Sequence, residues 1–312
     1  MDMKALILGT GAQGSVIASE LVKDPKVTEV RLGDINLERA RRLAERLKND
    51  KVSIHRVDAS NIEDVAKAGR ETDLIVNATP WVVRFNLNVM EAALKCGATY
   101  QDLASAPKEQ LELSDKWKKA GLTALIDAGE TPGITNVLVA HVADRLDRVE
   151  KIRVRFGEKV VEEPEEDVPY WSPESEWLGF AMDAIAYEDG RFKKVPPFSD
   201  EEVYPFPEPV GPVTVSLQNH EESETLPLFI GKGVRYVDFK MGEPIFPLAK
   251  AIARFGLLSD KPREFKGVKV APRDVFFSLL PPTLPPEDME RKRKAGLLGK
   301  SVWCTLVEVE GE

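Results

Sequence analysis

The chain has 312 residues, 43% of them hydrophobic and 30% charged, enough for one large or two ordinary domains that each bury a core. Asp and Glu number 52 against 43 Lys and Arg, a formal net charge of -9 that argues against nucleic acid or an anionic membrane as a general partner. Its two cysteines, Cys96 and Cys304, form no CxxC pair, which excludes a disulfide framework or cysteine-rich zinc site and points to a reducing, cytoplasmic compartment.

The N-terminus enters an apolar strand directly, with no charged leader and cleavable segment, and no apolar run is long enough to span a membrane. That strand reaches Gly9-Thr-Gly11-Ala12-Gln13-Gly14, passes into a helical pattern and returns as a second strand ending at Asp34. The spacing is that of a dinucleotide-binding turn. Gly9 permits the tight turn, Gly11 lets a pyrophosphate approach bare backbone, and Gly14 lets helix and strand pack closely. Phosphates then lie at the helix N-terminus, where unpaired N–H groups and the helix dipole favour negative charge. Asp34 stands where a carboxylate accepts from ribose hydroxyls. Ile35 and Asn36 follow it with no immediate Arg, which favours NAD, while Arg39 and Arg41 keep NADP possible.

Leu37, Ala40, Leu43, Ala44 and Leu47 have helical spacing behind an Asn36 cap. A strand over 52–57 then stops at Asp58-Ala59, Asn61 caps a short helix, and an apolar strand over 73–79 leads to Ala78-Thr79-Pro80. Strands alternating with helices imply right-handed crossovers and a doubly wound parallel sheet of the Rossmann type, whose ligands bind beyond the carboxyl ends of the strands. On that rule Asp58 and Ala59 are candidates for the adenine end, and Ala78, Thr79 and Pro80 for the nicotinamide side. A helix over 85–95, a strand ending at Asp102, a helix over 108–119 and a strand over 122–127 complete the pattern. Asp102 and Asp127 both fall at strand ends on the cofactor side.

Three features together, the glycine turn with Asp34, the TyrxAsp ending at Asp102 and above all Asp127-Ala-Gly-x-x-Pro132-Gly133-x-x-Asn136, resemble the saccharopine dehydrogenase family, which includes lysine and carboxynorspermidine dehydrogenases. The resemblance implies an NAD(P)-dependent oxidoreductase acting on the CH–N bond of an amino acid or opine-like amine. It also implies a chain that continues past Lys300–Val307 to pack terminal helices on the nucleotide domain, so an end at Glu312 is expected to mark either a truncated version or a shorter relative.

Beyond residue 147 the pattern changes, which sets expected domains of 1–147 for the dinucleotide and 148–312 for an α+β substrate-binding and dimerisation domain. A half-buried strand over 149–156 precedes the acidic run 162–167, expected to be a solvated loop, and a tryptophan segment from Trp171 to Trp177, expected to be structural. Six prolines between Pro196 and Pro212 forbid helix, but Phe198, Tyr204 and Phe206 predict a packed excursion.

The chemical content of this half is His220-Glu221-Glu222-Ser-Glu224-Thr225-Leu-Pro227, followed by a strand over 234–240. Histidine titrates near neutrality and carboxylates hold ammonium groups, against the plainer reading of a solvated acidic turn. The family's His-x-Glu before Thr-Leu-Pro is similar. Asp102, Asp127, His220 and Glu222 are thus the candidates for proton handling and ammonium binding, while His55 and His141 read as structural. HExxH, EF-hand and Cys/His patterns are missing, so no metal is expected. The partners expected are a small amine or amino acid and a second copy of the chain. A non-catalytic NAD(H)-responsive module is the alternative.

Overall fold

The computed structural model describes residues 2–104, 107–166, 168–169 and 172–312, so Asp167 of the acidic run and Trp171 of the tryptophan segment lie outside the described residues. Two compact units make up the chain, Met1–Gly129 and Glu130–Glu312, a division that falls earlier than residue 147.

In the first unit, strands β1 (Met3–Leu8), β2 (Val27–Asp34), β3 (Val52–Arg56), β4 (Leu74–Asn77), β5 (Thr99–Asp102) and β6 (Ala124–Leu125) alternate with helices. The helices are α1 (Ala12–Leu21), α2 (Leu37–Leu47), α3 (Ile62–Ala68), α4 (Asn86–Cys96), α5 (Pro107–Leu111) and α6 (Ser114–Ala120). Every pairing is parallel, in the order β3-β2-β1-β4-β5-β6, so the order reverses between β1 and β4. Leu6 and Leu8 pack with Ile75, Val89 and Tyr100 on one face, and Ile7 with Ala18, Leu32, Ala40 and Leu43 on the other. A strand covered on both faces must be apolar throughout, which is why β1 shows no alternation.

Asn36 accepts from the N–H groups of Glu38 and Arg39, and Asn61 from those of Glu63 and Asp64, so both expected caps are in place. Two expectations differ from what forms. The helix expected over 108–119 is the pair α5 and α6, and the strand expected over 122–127 is only β6. The second difference has a clear cause: Asp127 turns to φ +56° and gives its N–H to the Asp102 carboxylate, which takes it off the ladder.

The second unit opens with α7 (Ile134–Ala143) and β7 (Val149–Glu162), then α8 (Pro173–Gly179), β8 (Ala184–Glu188), β9 (Arg191–Val195), β10 (Glu202–Pro205) and β11 (Pro212–Leu217). It continues through α9 (Glu222–Phe229), β12 (Tyr236–Gly242), α10 (Phe246–Arg254), β13 (Arg263–Phe265), β14 (Val268–Val270), α11 (Pro272–Leu279), α12 (Pro286–Lys294) and β15 (Lys300–Gly311). The large sheet runs β10-β11-β12-β7-β15, with the β8–β9 hairpin against β12. Among the described residues, the β12–β7 pairing is the only parallel one in it.

One sheet face packs Ile152, Val154, Val237 and Phe239 against Val139 of α7 and Leu226 of α9. The alternate residues of β7 and β12 include Arg155 and Asp238, 2% and 0% exposed, which form a two-pronged ion pair at 2.8 and 3.0 Å. The proline-rich stretch is packed as expected, with Phe198 against Phe180 and Phe246, and Tyr204 against Phe206. The acidic run begins inside a strand, since β7 extends to Glu162.

Candidate functional site

The glycine turn joins β1 to α1 beside the end of β4. Gly9 has φ +90°, and a Cβ there would lie 2.8 Å from the Ala78 carbonyl oxygen; a Cβ on Gly14 would lie 1.9 Å from that of Gly9. These two glycines are required by the protein's own packing. Gly11 is different. Its φ is an ordinary -73°, it is exposed, and a Cβ would meet nothing within 4 Å. It is also the N-cap of α1 and brings no side chain to the open N–H groups. Nothing inside the chain demands glycine there, whereas a phosphate resting on that backbone would. The cradle therefore fits a dinucleotide pyrophosphate. Ala12 and Gln13 begin α1, with Gln13 exposed.

Asp34, 7% exposed at the end of β2, is tied to this turn: Oδ2 accepts from Thr10 N at 2.8 Å and Thr10 Oγ1 at 2.7 Å, and Oδ1 from Asn36 N at 2.8 Å. Ile35 beside it is exposed, an apolar surface at the same strand end. At the end of β3, Asp58 accepts from Ser60 N and Oγ, bonds that hold its carboxyl below the usual range, and Ala59 is buried. After β4, buried Asn77 accepts from Thr79 N and Oγ1, which fixes Thr79 between partly buried Ala78 and exposed Pro80.

Asp102 is the hub of a buried polar network. It is 1% exposed, and its Oδ2 accepts from Tyr100 OH at 2.7 Å, Gln110 Nε2 at 2.7 Å and Asn86 Nδ2 at 2.9 Å. Its Oδ1 takes the Asp127 N–H at 2.8 Å. Burial raises its pKa although each of these donors opposes the rise. With both oxygens bound inward, Asp102 has the geometry of a fastening between β5 and the Asp127 turn. Asp127 itself is 7% exposed and holds a left-handed backbone, a conformation that clusters at functional turns.

In the second unit His220 and Glu222 meet at the start of α9. His220 Nδ1 lies 2.5 Å from Glu222 Oε2, and the imidazole stacks on Phe239 of β12 with centroids 3.9 Å apart. Glu222 is fully buried. Burial opposes its ionisation, but His220 and the Thr135 hydroxyl, 2.6 Å from Oε1, outweigh that and hold its carboxyl below the usual range. The stretch read alternatively as a solvated turn is thus the first turn of a packed helix. An ionised carboxylate on Nδ1 leaves the imidazole lone pair on Nε2, the arrangement of a general base. His220, Glu221 and Glu222 could each turn a ligand atom within 4.8 Å of the others, but both Glu222 oxygens are already accepting hydrogen bonds, which disfavours a metal.

A cavity of about 670 Å³ in this unit is lined by Glu158, Glu243, Phe246 and Lys250 among others. Burial and repulsion from Glu176 and Glu158 push Glu243 up to about 8, with His220 close enough to oppose the rise. Burial and Glu158 push Glu176 up to about 7. Of the other histidines, His55 contacts Ser53, and His141 is exposed beside Arg145.

Sequence reasoning missed Thr10, Tyr100, Asn86, Gln110, Thr135 and Phe239. Thr10, Tyr100 and Thr135 lie inside the three motifs quoted above, where they were given no role; Asn86, Gln110 and Phe239 meet their partners only through the fold.

A parallel sheet whose glycine cradle lies where the strand order reverses, followed by a mixed-sheet unit, defines a nicotinamide-dinucleotide-binding protein of the Rossmann class. Residues 5–125 match the family described as saccharopine dehydrogenase NADP binding domain. The first unit is thus similar to the nucleotide-binding domain of that family. Among curated proteins, the chain is 27% identical to carboxynorspermidine synthase of Vibrio cholerae, over 89% of this chain and 73% of that protein. It is 25% identical to carboxyaminopropylagmatine dehydrogenase of Synechocystis, over 89% and 72%. Among solved structures, apo saccharopine dehydrogenase (L-Glu forming) of Saccharomyces cerevisiae shares the fold with a TM-score of 0.64 at 19% identity, over 84% of this chain and 60% of that one.

Proposed function

We propose that the chain is an NAD(P)-dependent oxidoreductase acting on the CH–N bond of a small amine or amino acid. The observation that carries this reading is the pair of partly exposed His220 on buried Glu222, a proton acceptor held in a chain whose other unit is a dinucleotide cradle. The nicotinamide, when bound, supplies the hydride chemistry. Gly9, Gly11, Ala12, Gln13 and Gly14 offer backbone to its phosphates, Asp34 and Ile35 face the adenosine end with Asp58 and Ala59, and Ala78, Thr79 and Pro80 line the nicotinamide side.

His220 Nε2 takes the proton from the substrate ammonium in the oxidative direction and returns it in the reductive one. Glu222 holds the ring in that tautomer and balances its charge. Asp102 and Asp127 act within the first unit, where the Asp127 N–H bond to Asp102 fixes the turn that follows β6. The curated relatives carry amine-centred names, and the carboxyls of Glu158, Glu163, Glu201 and Glu243 outnumber Lys159 and Lys250 in the lining of the second unit's cavity, a balance that favours a cationic group. The Asp34 carboxylate favours NAD over NADP by repelling a 2′-phosphate. The second unit binds substrate and pairs with a second copy of the chain, and the protein works in the cytoplasm.

The test is reduced-nicotinamide formation with lysine, saccharopine and linear diamines and polyamines, together with the reverse reaction from amine plus aldehyde. Turnover with any of them is the expected result. Calorimetric cofactor binding with no turnover across both panels would instead establish a nucleotide-responsive module.

A further inference from the structure

Two consecutive residues of the first turn of α7 reach the first turn of α9. Thr135 Oγ1 donates to Glu222 Oε1 at 2.6 Å, and Asn136 Nδ2 donates to Thr225 Oγ1 at 3.0 Å. Asn136 Oδ1 is itself fixed by the Gly133 N–H at 3.0 Å. The end of the Asp127–Asn136 motif therefore grips the helix that carries Glu222, and it does so without solvent: Thr135 is 1% exposed and Glu222 0%.

The Glu222 carboxylate divides its oxygens, Oε1 to the Thr135 hydroxyl and Oε2 to His220 Nδ1. A buried carboxylate persists as an anion only where donors replace water around it. Stacking on Phe239 fixes the ring plane, but stacking does not choose which nitrogen carries the proton. That choice belongs to the carboxyl. As an anion it can only accept, so the ring proton lies on Nδ1 and the lone pair on Nε2. His220 and the Glu222 backbone N–H also hold this charge, so losing the Thr135 donor moves the balance toward a protonated carboxyl that donates O–H to Nδ1, which places ring-proton density on Nε2 and weakens the basic site.

We propose that Thr135 is a positioning residue for the His220–Glu222 pair, its hydroxyl keeping Glu222 acceptor-only so that Nε2 remains the basic nitrogen. The assignment of a role in turnover rests on the oxidoreductase reading above; the assignment of the ring proton does not. Glu221, 3.6 Å from His220 Nδ1, and Glu243 also face the imidazole, and both are common to every variant compared below.

The experiment is nitrogen-15 NMR of the histidine rings in the full chain without cofactor, with His220→Gln to assign the signal. Thr135→Val removes the hydroxyl at nearly constant shape, Thr135→Ser restores it, and Thr135→Ala serves if valine does not fold, with circular dichroism as the fold check. The parent and Thr135→Ser should show the proton on Nδ1. Thr135→Val should move proton density to Nε2 and displace the ring's titration midpoint by about one pH unit, the scale of one charge-assisted hydrogen bond. In turnover, the same variant should shift the pH profile of kcat with little change in KM, and Thr135→Ser should recover it.

An unchanged ring proton and midpoint in folded Thr135→Val and Thr135→Ala would overturn the proposal. Because the NMR measurement needs no substrate, a chain that turns over no amine would remove the oxidoreductase reading and leave this assignment standing. Normal turnover with an unmoved ring would do the reverse.

Discussion

Asp34 holds Thr10 by two bonds to one oxygen, the backbone N–H at 2.8 Å and the hydroxyl at 2.7 Å, so the end of β2 clamps the turn that leaves β1. The carboxylate proposed for the cofactor's sugar end is thus also part of the loop proposed to receive the phosphates. A change at either residue should be felt in both places.

Asp34→Asn keeps one carbonyl oxygen for three donors, since Asn36 N–H also bonds this carboxylate. Stability should fall by about 1.5–3 kcal/mol in urea titrations, the range for losing one hydrogen bond to a charged group. Calorimetry should show weaker NAD binding and a higher ratio of NADP to NAD affinity, because the charge opposing a 2′-phosphate is gone. An unchanged ratio would assign Asp34 to loop anchoring alone.

Gly11 and Gly14 separate folding from binding. Gly11→Ala adds a methyl where no atom lies within 4 Å, at φ -73°, and should melt within a degree or two of the parent. Its cofactor binding should nonetheless drop by more than about tenfold, since the methyl occupies the space of the pyrophosphate. Gly14→Ala must push against the Gly9 carbonyl at 1.9 Å and should lose stability first. Full cofactor affinity in Gly11→Ala would place the phosphates elsewhere.

The sequence carried the first unit clearly because local rules and global fold agree there: apolar runs for strands buried on both faces, Asn36 and Asn61 as caps, glycines at the turn. Asp102 was visible as a strand end with Tyr100 two residues before it on the same strand, yet nothing local told that Asn86 and Gln110 would close over it, since they come from α4 and α5. The second unit was harder for the same reason. Its β12–β7 pairing joins residues more than eighty apart, and the His220 stretch resembled a loop until Phe239 and Thr135 were in place around it.

Asp102 offers a direct separation of scaffold from chemistry. Asp102→Ala strands Tyr100, Asn86, Gln110 and the Asp127 N–H at a buried site, and should reduce stability by about 3–5 kcal/mol, the range for breaking a buried charged network. Asp102→Asn keeps an oxygen for part of the network and should lose less. If Asp102 only fastens the turn, the Asn variant's kcat/KM should keep the shape of its pH profile and change in height; loss of one limb of that profile would return Asp102 to the proton-handling groups.

Glu243 and Glu176 predict an acid-side gain in stability. Their carboxyls are raised from the ordinary value of 4.5 to about 8 and about 7, Glu243 by burial and then by Glu176 and Glu158, and Glu176 by burial and then by Glu158. Between the unfolded and folded values the native state holds more protons than the unfolded chain, so this contribution to stability falls as pH rises, from about 4.5 until it levels off above about 8. Lowering the pH from 8.5 to 6 should therefore raise the contribution of this pair to Tm, and Glu243→Gln, which is neutral throughout, should flatten the difference while raising Tm at the alkaline end. A cationic ligand should reverse the trend locally, since an ammonium beside Glu243 favours its ionised form. Tm measured against pH with and without a diamine tests both halves: an identical slope in parent and Glu243→Gln would show that Glu243 titrates alike in the folded and unfolded chain.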